Sequence, residues 1–258
     1  GVYLLHRNVH FAEIFQDLFL TRLDEDLNMV WQENITSDVN AVPLGLASDG
    51  DGNVFVAYNQ DWPSANDTFF VRKYLPDGQI AWTQSGVIAN SFFDLVFSGF
   101  DASPDGKVAF FMRLTGTFQM DGIQLNDNTV HHLLGVLDGQ TGQSTGFADL
   151  FTESTQWTNY LPLNLSIDPE NNYVLSFRSS VPLVLQGETI NHAPTGTTGW
   201  WSGVATLKQD FSFKNVVTLG TDQFLDVTVV TDALHDDQGN LFVGGYRSKT
   251  DDSGTFVF

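Results

Sequence analysis

The sequence predicts an all-β fold built from repeated four-stranded antiparallel units, and three observations carry that expectation. Aspartate dominates the acidic residues, a tight turn followed by an apolar strand recurs along the chain, and a second hairpin follows each recurrence.

The chain has 258 residues, 42% of them hydrophobic and 22 of them Phe, enough to fill a core. It carries 25 Asp but only six Glu. Glu suits helices, whereas Asp bonds to nearby backbone and belongs in turns. One short helix is expected, within His10 to Asp17. No apolar run approaches the ~18 residues that span a bilayer. The opening Gly-Val-Tyr-Leu-Leu-His-Arg lacks the features of a signal peptide, so any targeting segment is expected outside this stretch. A net charge of −20 argues against nucleic acid and against an anionic membrane surface as partners. The absence of cysteine removes disulfides, thiolate metal sites and thiol nucleophiles.

The recurring element reads Gly52-Asn-Val-Phe-Val56, Gly106-Lys-Val-Ala-Phe110, Asn171-Asn-Tyr-Val-Leu175 and Gly239-Asn-Leu-Phe-Val243, with Val2-Tyr-Leu-Leu5 as a first copy without its turn. Between Val2, Val54, Val108, Tyr173 and Leu241 the spacings are 52, 54, 65 and 68. A strand precedes each turn, at Leu44–Ala47, Phe97–Phe100, Leu163–Ser166 and Val227–Ala233. A hairpin follows, clearest in Phe19 to Trp31 and Phe70 to Trp82, weaker in Leu133 to Gly142 and Gly203 to Phe211. Asp-Gly pairs suit such turns because glycine takes positive φ without a steric cost. The units run at about 1–43, 44–96, 97–160, 161–225 and 226–258. The first lacks its first strand and the last lacks its fourth, so the two overlap and do not complete one another.

Four antiparallel strands at a period of this size describe the blade of a β-propeller. The expected architecture is therefore a single propeller region forming a partial or fragmentary ring, continued by further blades of the same chain. The run Asp237-Gln-Gly-Asn-Leu-Phe-Val-Gly-Gly-Tyr246 resembles the signature of bacterial β-propeller repeat proteins of the SBBP type. Phe118 to Leu125 and Leu183 to Ile190 resemble the insertion that this family places between the second and third strands. The resemblance implies an exported or surface protein, extracellular, with no assigned activity. Leu137-Asp-Gly-Gln-Thr-Gly142 is similar to a turn of quinoprotein-like propellers and their cofactor-free relatives, but the tryptophan ladder of the enzymes is missing.

In such a fold the longer connections, second-to-third and fourth-to-first strand, gather at one end, where a ligand is expected. An arginine ends or follows the second strand in four units: Arg7, Arg113, Arg178 and Arg247. Together they would clamp carboxylate or sulfate groups, or else bridge to the plentiful Asp residues. Trp62, Trp157, Trp200 and Trp201 fall on the same segments and suit either sugar stacking or loop anchoring. His131, His132 and His192 have no metal-ligand spacing, and no metal site is expected of them. Asp61, Asp67, Asp121 and Glu188 are the carboxylates on that side. The turn acids Asp49, Asp51, Asp101, Asp105, Asp168, Asp236 and Asp237 could bind calcium, although turn chemistry already accounts for them. No other cofactor is expected.

No nucleophile elbow, phosphate loop or zinc-protease motif occurs. The expected function is a non-catalytic extracellular module that binds a glycan, surface polymer or protein, or serves as a spacer. The alternatives are a carbohydrate-active hydrolase or lyase, and an assembly subunit that pairs through blade edges near Val2 or Phe258.

Overall fold

The computed structural model describes residues 1–9, 16–36, 41–60, 66–89, 96–126, 129–151, 160–180, 182–190, 201–219, 226–236, 238, 240–250 and 256–257. Among these there is no helix; the chain is all-β and arranged as consecutive antiparallel sheets. Sheet 1 holds β1 (Val2–Val9), β2 (Gln16–Leu23) and β3 (Met29–Thr36). Gln16 and Asp17 are therefore strand rather than the end of a short helix, and residues 10–15 lie outside the described set.

Sheet 2 is the meander β4 (Ala41–Ser48), β5 (Val54–Gln60), β6 (Asn66–Tyr74) and β7 (Ile80–Ala89). Sheet 3 repeats it with β8 (Val96–Ala102) and β9 (Lys107–Thr115). The hairpin β10 (Thr117–Met120) and β11 (Ile123–Leu125) is then inserted before β12 (Val130–Asp138) and β13 (Ser144–Asp149). Sheet 4 does the same with β14 (Tyr160–Ile167), β15 (Tyr173–Ser179), the inserted β16 (Leu183–Leu185) and β17 (Glu188–Ile190), then β18 (Trp201–Leu207) and β19 (Phe213–Leu219). Sheet 5 holds β20 (Asp226–His235), β21 (Leu241–Thr250) and the short β22 (Phe256–Val257). The first strands begin at 41, 96, 160 and 226, beside the unit boundaries read from the sequence.

Four hydrophobic clusters lie one between each successive pair of sheets. Leu18, Leu20 and Ile35 meet Val54, Val56 and Tyr58 between sheets 1 and 2. Phe55, Phe69 and Val71 meet Val108, Phe110 and Met112 between sheets 2 and 3. Phe111 and Leu134 meet Tyr173, Leu175 and Phe177 between sheets 3 and 4. Val174 and Val204 meet Val230 and Ala233 between sheets 4 and 5. Strand alternation sends successive side chains to opposite faces, so each inner sheet has a forward face toward the next sheet and a rear face toward the previous one. Second and third strands such as β9 and β12 are accordingly buried on both faces, while the fourth strand β13 is partly exposed. The first strands carry the closest approach: a Cβ on Gly99 would collide with Leu165 of the next sheet, and one on Gly45 with Phe100. Each first strand also bulges at the same place, at residues 44, 98, 163 and 231.

Six of the hairpin turns share one construction. In the Asp24–Asn28, Asp49–Asn53, Leu75–Gln79, Ser103–Lys107, Asp168–Asn172 and Lys208–Ser212 turns, the first N–H donates to the fifth carbonyl and the fourth N–H donates back to the first. The fourth residue sits at positive φ, whether it is Leu27, Gly52, Gly78, Gly106, Asn171 or Phe211. This is a three-residue loop ended by a left-handed bulge residue. Four turns add a clip of Asp and Asn four apart. Asp168 accepts the Glu170 and Asn172 N–H groups at 2.9 and 2.8 Å and the Asn172 side-chain amide at 2.7 Å. Asp49 with Asn53, Asp236 with Asn240 and Asp24 with Asn28 repeat the pattern. The Asn28 N–H is the main reason the Asp24 carboxyl titrates below its ordinary range.

The turn between the third and fourth strands also joins one sheet to the one before it. Trp31 donates its indole N–H to the Pro76 carbonyl at 3.0 Å, and Arg22 donates to the same oxygen. One sheet later, Trp82 and Lys73 both donate to the Gly139 carbonyl, at 3.0 and 2.8 Å. Each indole lies against the left-handed glycine of the turn it reaches, Gly78 or Gly142, where a Cβ would crowd the ring. Between sheets 3 and 4 the sizes are exchanged: Gly146 takes the strand position and the Phe211 ring, from the turn, covers it. Phe211 also stacks on Tyr173 at 5.5 Å.

Two outcomes follow. Asp168→Ala is expected to cost about 2 kcal/mol in urea unfolding, because it strands buried donors, whereas Asp24→Ala on an exposed turn should cost far less. Gly146→Trp should destabilise by overpacking, by about 1–3 kcal/mol, and Phe211→Gly in the same chain should recover most of that loss, giving a favourable coupling in a double-mutant cycle.

Candidate functional site

The side chains with the most chemical capacity gather where β9, β12 and β13 end, against sheet 4. Arg113 of β9 stands directly across from His132 of β12. Both are buried. Alternation places them on the forward face of sheet 3, the face of Phe111, so they look toward sheet 4. Asp149, the last residue of β13, holds the neighbouring pair of histidines: its carboxylate lies 2.7 Å from His131 Nδ1 and accepts the His132 backbone N–H at 3.0 Å. The Leu150 N–H donates to the His132 carbonyl at 2.9 Å and closes the corner.

An aromatic series continues from there. The His132 ring meets Phe151 edge-on at 5.2 Å, Phe151 meets Phe177 at 6.5 Å, and Phe177 meets Trp201 edge-on at 5.4 Å. Burial, and after it the Arg113 charge, push the His132 pKa down to about 4 against the upward pull of Asp149. His132 is therefore neutral at pH 7 and sits beside a permanent cation. Neutral imidazole, guanidinium and ring edges together suit a partner with oxygen acceptors and an apolar face.

Arg7, Arg113 and Arg178 occupy the same position, five residues past the corresponding Val2, Val108 and Tyr173 of the second strands, and Asn59 takes that place after Val54 in sheet 2. Arg247 lies one position further along β21, and its side chain is outside the described residues. The structure does not bring Arg113 and Arg178 into one pocket. Arg178 is half-buried and projects from the face of β15 opposite Phe177, so sheet 4 lies between the two guanidinium groups. Arg7 is exposed. The three form a row, one per sheet, at the same end of the molecule.

Of the tryptophans expected to face a ligand, Trp201 is 1% exposed and packs into the core between sheets 3 and 4. Trp62, Trp157 and Trp200 lie outside the described residues, as do Asp61 and His192. Asp67 is buried, while Asp121 and Glu188 are exposed on two separate inserted hairpins. Among the described residues, no three His, Asp or Glu side chains converge as a metal site. Five of the turn acids have protein donors: besides Asp49, Asp168 and Asp236 in their clips, Asp101 accepts the Ile167 N–H at 2.8 Å and Asp105 accepts the Asn171 amide at 3.0 Å, while Asp51 is exposed and Asp237 lies outside the described residues.

At the opposite, turn-bearing end, an open groove of about 360 Å³ runs between sheets 4 and 5, bordered by Val204, Thr206, Asn215, Val217 and Leu241. Its two carboxylates are already engaged, Asp168 in its turn clip and Glu170 with Lys214 at 2.9 Å. Sequence reasoning pointed to Arg113 and His132 separately but missed Asp149 and the ring series, whose contacts join residues 18 to 26 positions apart and leave no local pattern.

The depressed His132 pKa gives acid sensitivity. The unfolded chain takes up this proton near pH 6.5 and the folded chain only near pH 4. The stability tied to the neutral ring is therefore complete above pH 6.5 and lost as the pH falls to about 4, by up to about 3 kcal/mol. Urea midpoints across that window should fall steeply for the natural chain and more gently for His132→Gln.

No family model matches the chain, and no curated protein matches it. Among solved structures, the crystal structure of a protein of unknown function from Bacteroides caccae is similar to it, with a TM-score of 0.46 and 11% sequence identity, over 99% of this chain and 71% of that one.

Proposed function

We propose that the chain is a non-catalytic binding module of an extracellular β-propeller, in which the sheets are blades set side by side around an axis lined by their first strands. The order in which the first strands pack supports this reading: β4 against β8, β8 against β14, and β14 against β20. A bulge in each first strand and a tight glycine contact between neighbours suit strands that crowd toward a common line. A surface charge of −20 suits an exported, highly solvated protein of the bacterial β-propeller repeat type.

The ligand is an extended polymer carrying carboxylate or sulfate groups, such as an acidic polysaccharide. The observation that carries this is the placement of Arg7, Arg113 and Arg178 at matching register in sheets 1, 3 and 4, with the polar Asn59 at that place in sheet 2. A chain of sugars lying across that end would meet the exposed Arg7 and the half-buried Arg178, with Arg113 set deeper between sheets 3 and 4. A hydrolase or lyase would need two carboxylates about 5–10 Å apart in one pocket; Asp67 is buried, and Asp121 and Glu188 are on different hairpins.

Binding to an array of neutral and acidic glycans tests the proposal. The natural chain should retain acidic polymers in a salt-sensitive manner, and Arg178→Ala should weaken that binding about tenfold, or 1.4 kcal/mol, with its circular dichroism unchanged. Absence of binding across the array, or cleavage of any polymer on it, would overturn the reading.

A further inference from the structure

The register position that carries arginine in sheets 1, 3 and 4 carries Asn59 in sheet 2. Asn59 is 1% exposed. Its side-chain oxygen and nitrogen are both shut off from solvent, and neither has a hydrogen-bond partner among the described residues. Alternation along β5 turns Asn59 to the same side as Phe55 and Ala57, the forward face toward sheet 3. Its direct neighbours across the strands are Val42 of β4 and Phe69 of β6. The Phe69 ring in turn meets Phe97 at 5.9 Å and Phe118 at 6.4 Å, so the amide stands in apolar surroundings.

A primary amide is a costly group to bury in that way. It offers two N–H donors and an oxygen that accepts twice. Leaving such groups unmet in an apolar interior costs more than an ordinary hydrogen bond gains. One other polar side chain shares the face close by. Asp67 of β6 is also 1% exposed and lies on the side of Phe69 and Val71, directly across from Ile88. Asn59 and Asp67 are therefore diagonal neighbours on adjacent strands, a separation that one small molecule bridges. The next interface offers a comparison. There the same register holds Arg113, a long side chain buried between sheets 3 and 4, where sheet 2 has only a short one.

We propose that Asn59 and Asp67 hold an ordered water sealed between sheets 2 and 3, which accepts from the Asn59 amide and donates to the Asp67 carboxylate. The chemistry of the place selects this occupant. It must be small, must both donate and accept, and must bring no charge into an apolar interface. An anion would oppose Asp67. A calcium-type cation would need a full shell of oxygens, which the side chains of Val42, Phe69 and Ile88 do not supply. Water thus takes up at sheet 2 the length that a guanidinium spans one sheet later. The site is independent of the acidic polymer proposed at Arg7 and Arg178, because Asn59 and Asp67 do not reach the surface.

A crystal structure of the natural chain, at a resolution that orders water, is the direct test. It should show a water peak within hydrogen-bond reach of both the Asn59 amide and the Asp67 carboxylate. Urea unfolding of Asn59→Leu gives a second, independent reading. If water satisfies the amide, the substitution removes a complete set of hydrogen bonds and takes a donor from Asp67, so the urea midpoint falls. If the amide is unmet, the same substitution relieves a buried polar group and the midpoint rises. Empty density beside the amide overturns the proposal, as does a protein group bonded to it, a metal ion in that place, or a raised midpoint for Asn59→Leu.

Discussion

In sheets 2, 3 and 4 the turn between the third and fourth strands has to hold one residue in the left-handed region, and the sheet before it decides which residue that is. The loop geometry places positive φ at the next-to-last turn residue, the fourth of five in Leu75–Gln79 and Lys208–Ser212 and the fifth of six in Asp138–Gln143. The neighbouring strand then sets the space available. Where the preceding sheet offers an indole, the position is glycine, as at Gly78 and Gly142; where it offers glycine, the position carries a ring, as at Phe211. Conformation and volume are thus solved together at a single residue. The carbonyl of the same turn receives the indole N–H and a cation, so the contact is directional as well as apolar. Register between sheets follows from these fixed points.

The polar residues of the turns are organised in the same local way. An aspartate that satisfies two backbone N–H groups and an asparagine amide within five residues needs no outside partner, and the chain uses that clip four times. This accounts for the preference for Asp over Glu, whose longer side chain does not fit the clip. It also explains how a protein of such negative charge keeps acids close together. Many of them neutralise rigid backbone dipoles rather than waiting for scarce lysines and arginines.

Local features were legible in the sequence and non-local ones were not. The strands around Val54, Val108, Tyr173 and Leu241 and the turns beside them follow from short-range rules, and the two inserted hairpins near Gly122 and Gly187 fall where the family resemblance implied them. The bulges left no mark, because the bulged residues are Leu44, Ser98, Leu163 and Thr231, with no shared chemistry. The joining contacts were invisible because Trp31 and Trp82 reach carbonyls 45 and 57 residues away. At the candidate site the arginine positions were legible from their register. The burial of Trp201 was not, since two adjacent tryptophans in an extended segment point opposite ways and sequence cannot say which is inside.

The inserted hairpins change how the protein comes apart. β10 leaves its own sheet to pair with β7 of the previous one, through Thr117–Ala89, Phe118–Ile88 and Gln119–Val87, and Leu185 of β16 bridges to Phe151 just past β13. Sheets 2, 3 and 4 are therefore knitted pairwise by backbone hydrogen bonds as well as by packed faces. Losing one strips an edge from its neighbour, which makes the three a shared cooperative unit in amide exchange. Among the described residues, sheet 1 meets sheet 2 through packed side chains and side-chain hydrogen bonds to backbone carbonyls, with no strand pairing between them, so its amides are expected to exchange separately from those of the other three.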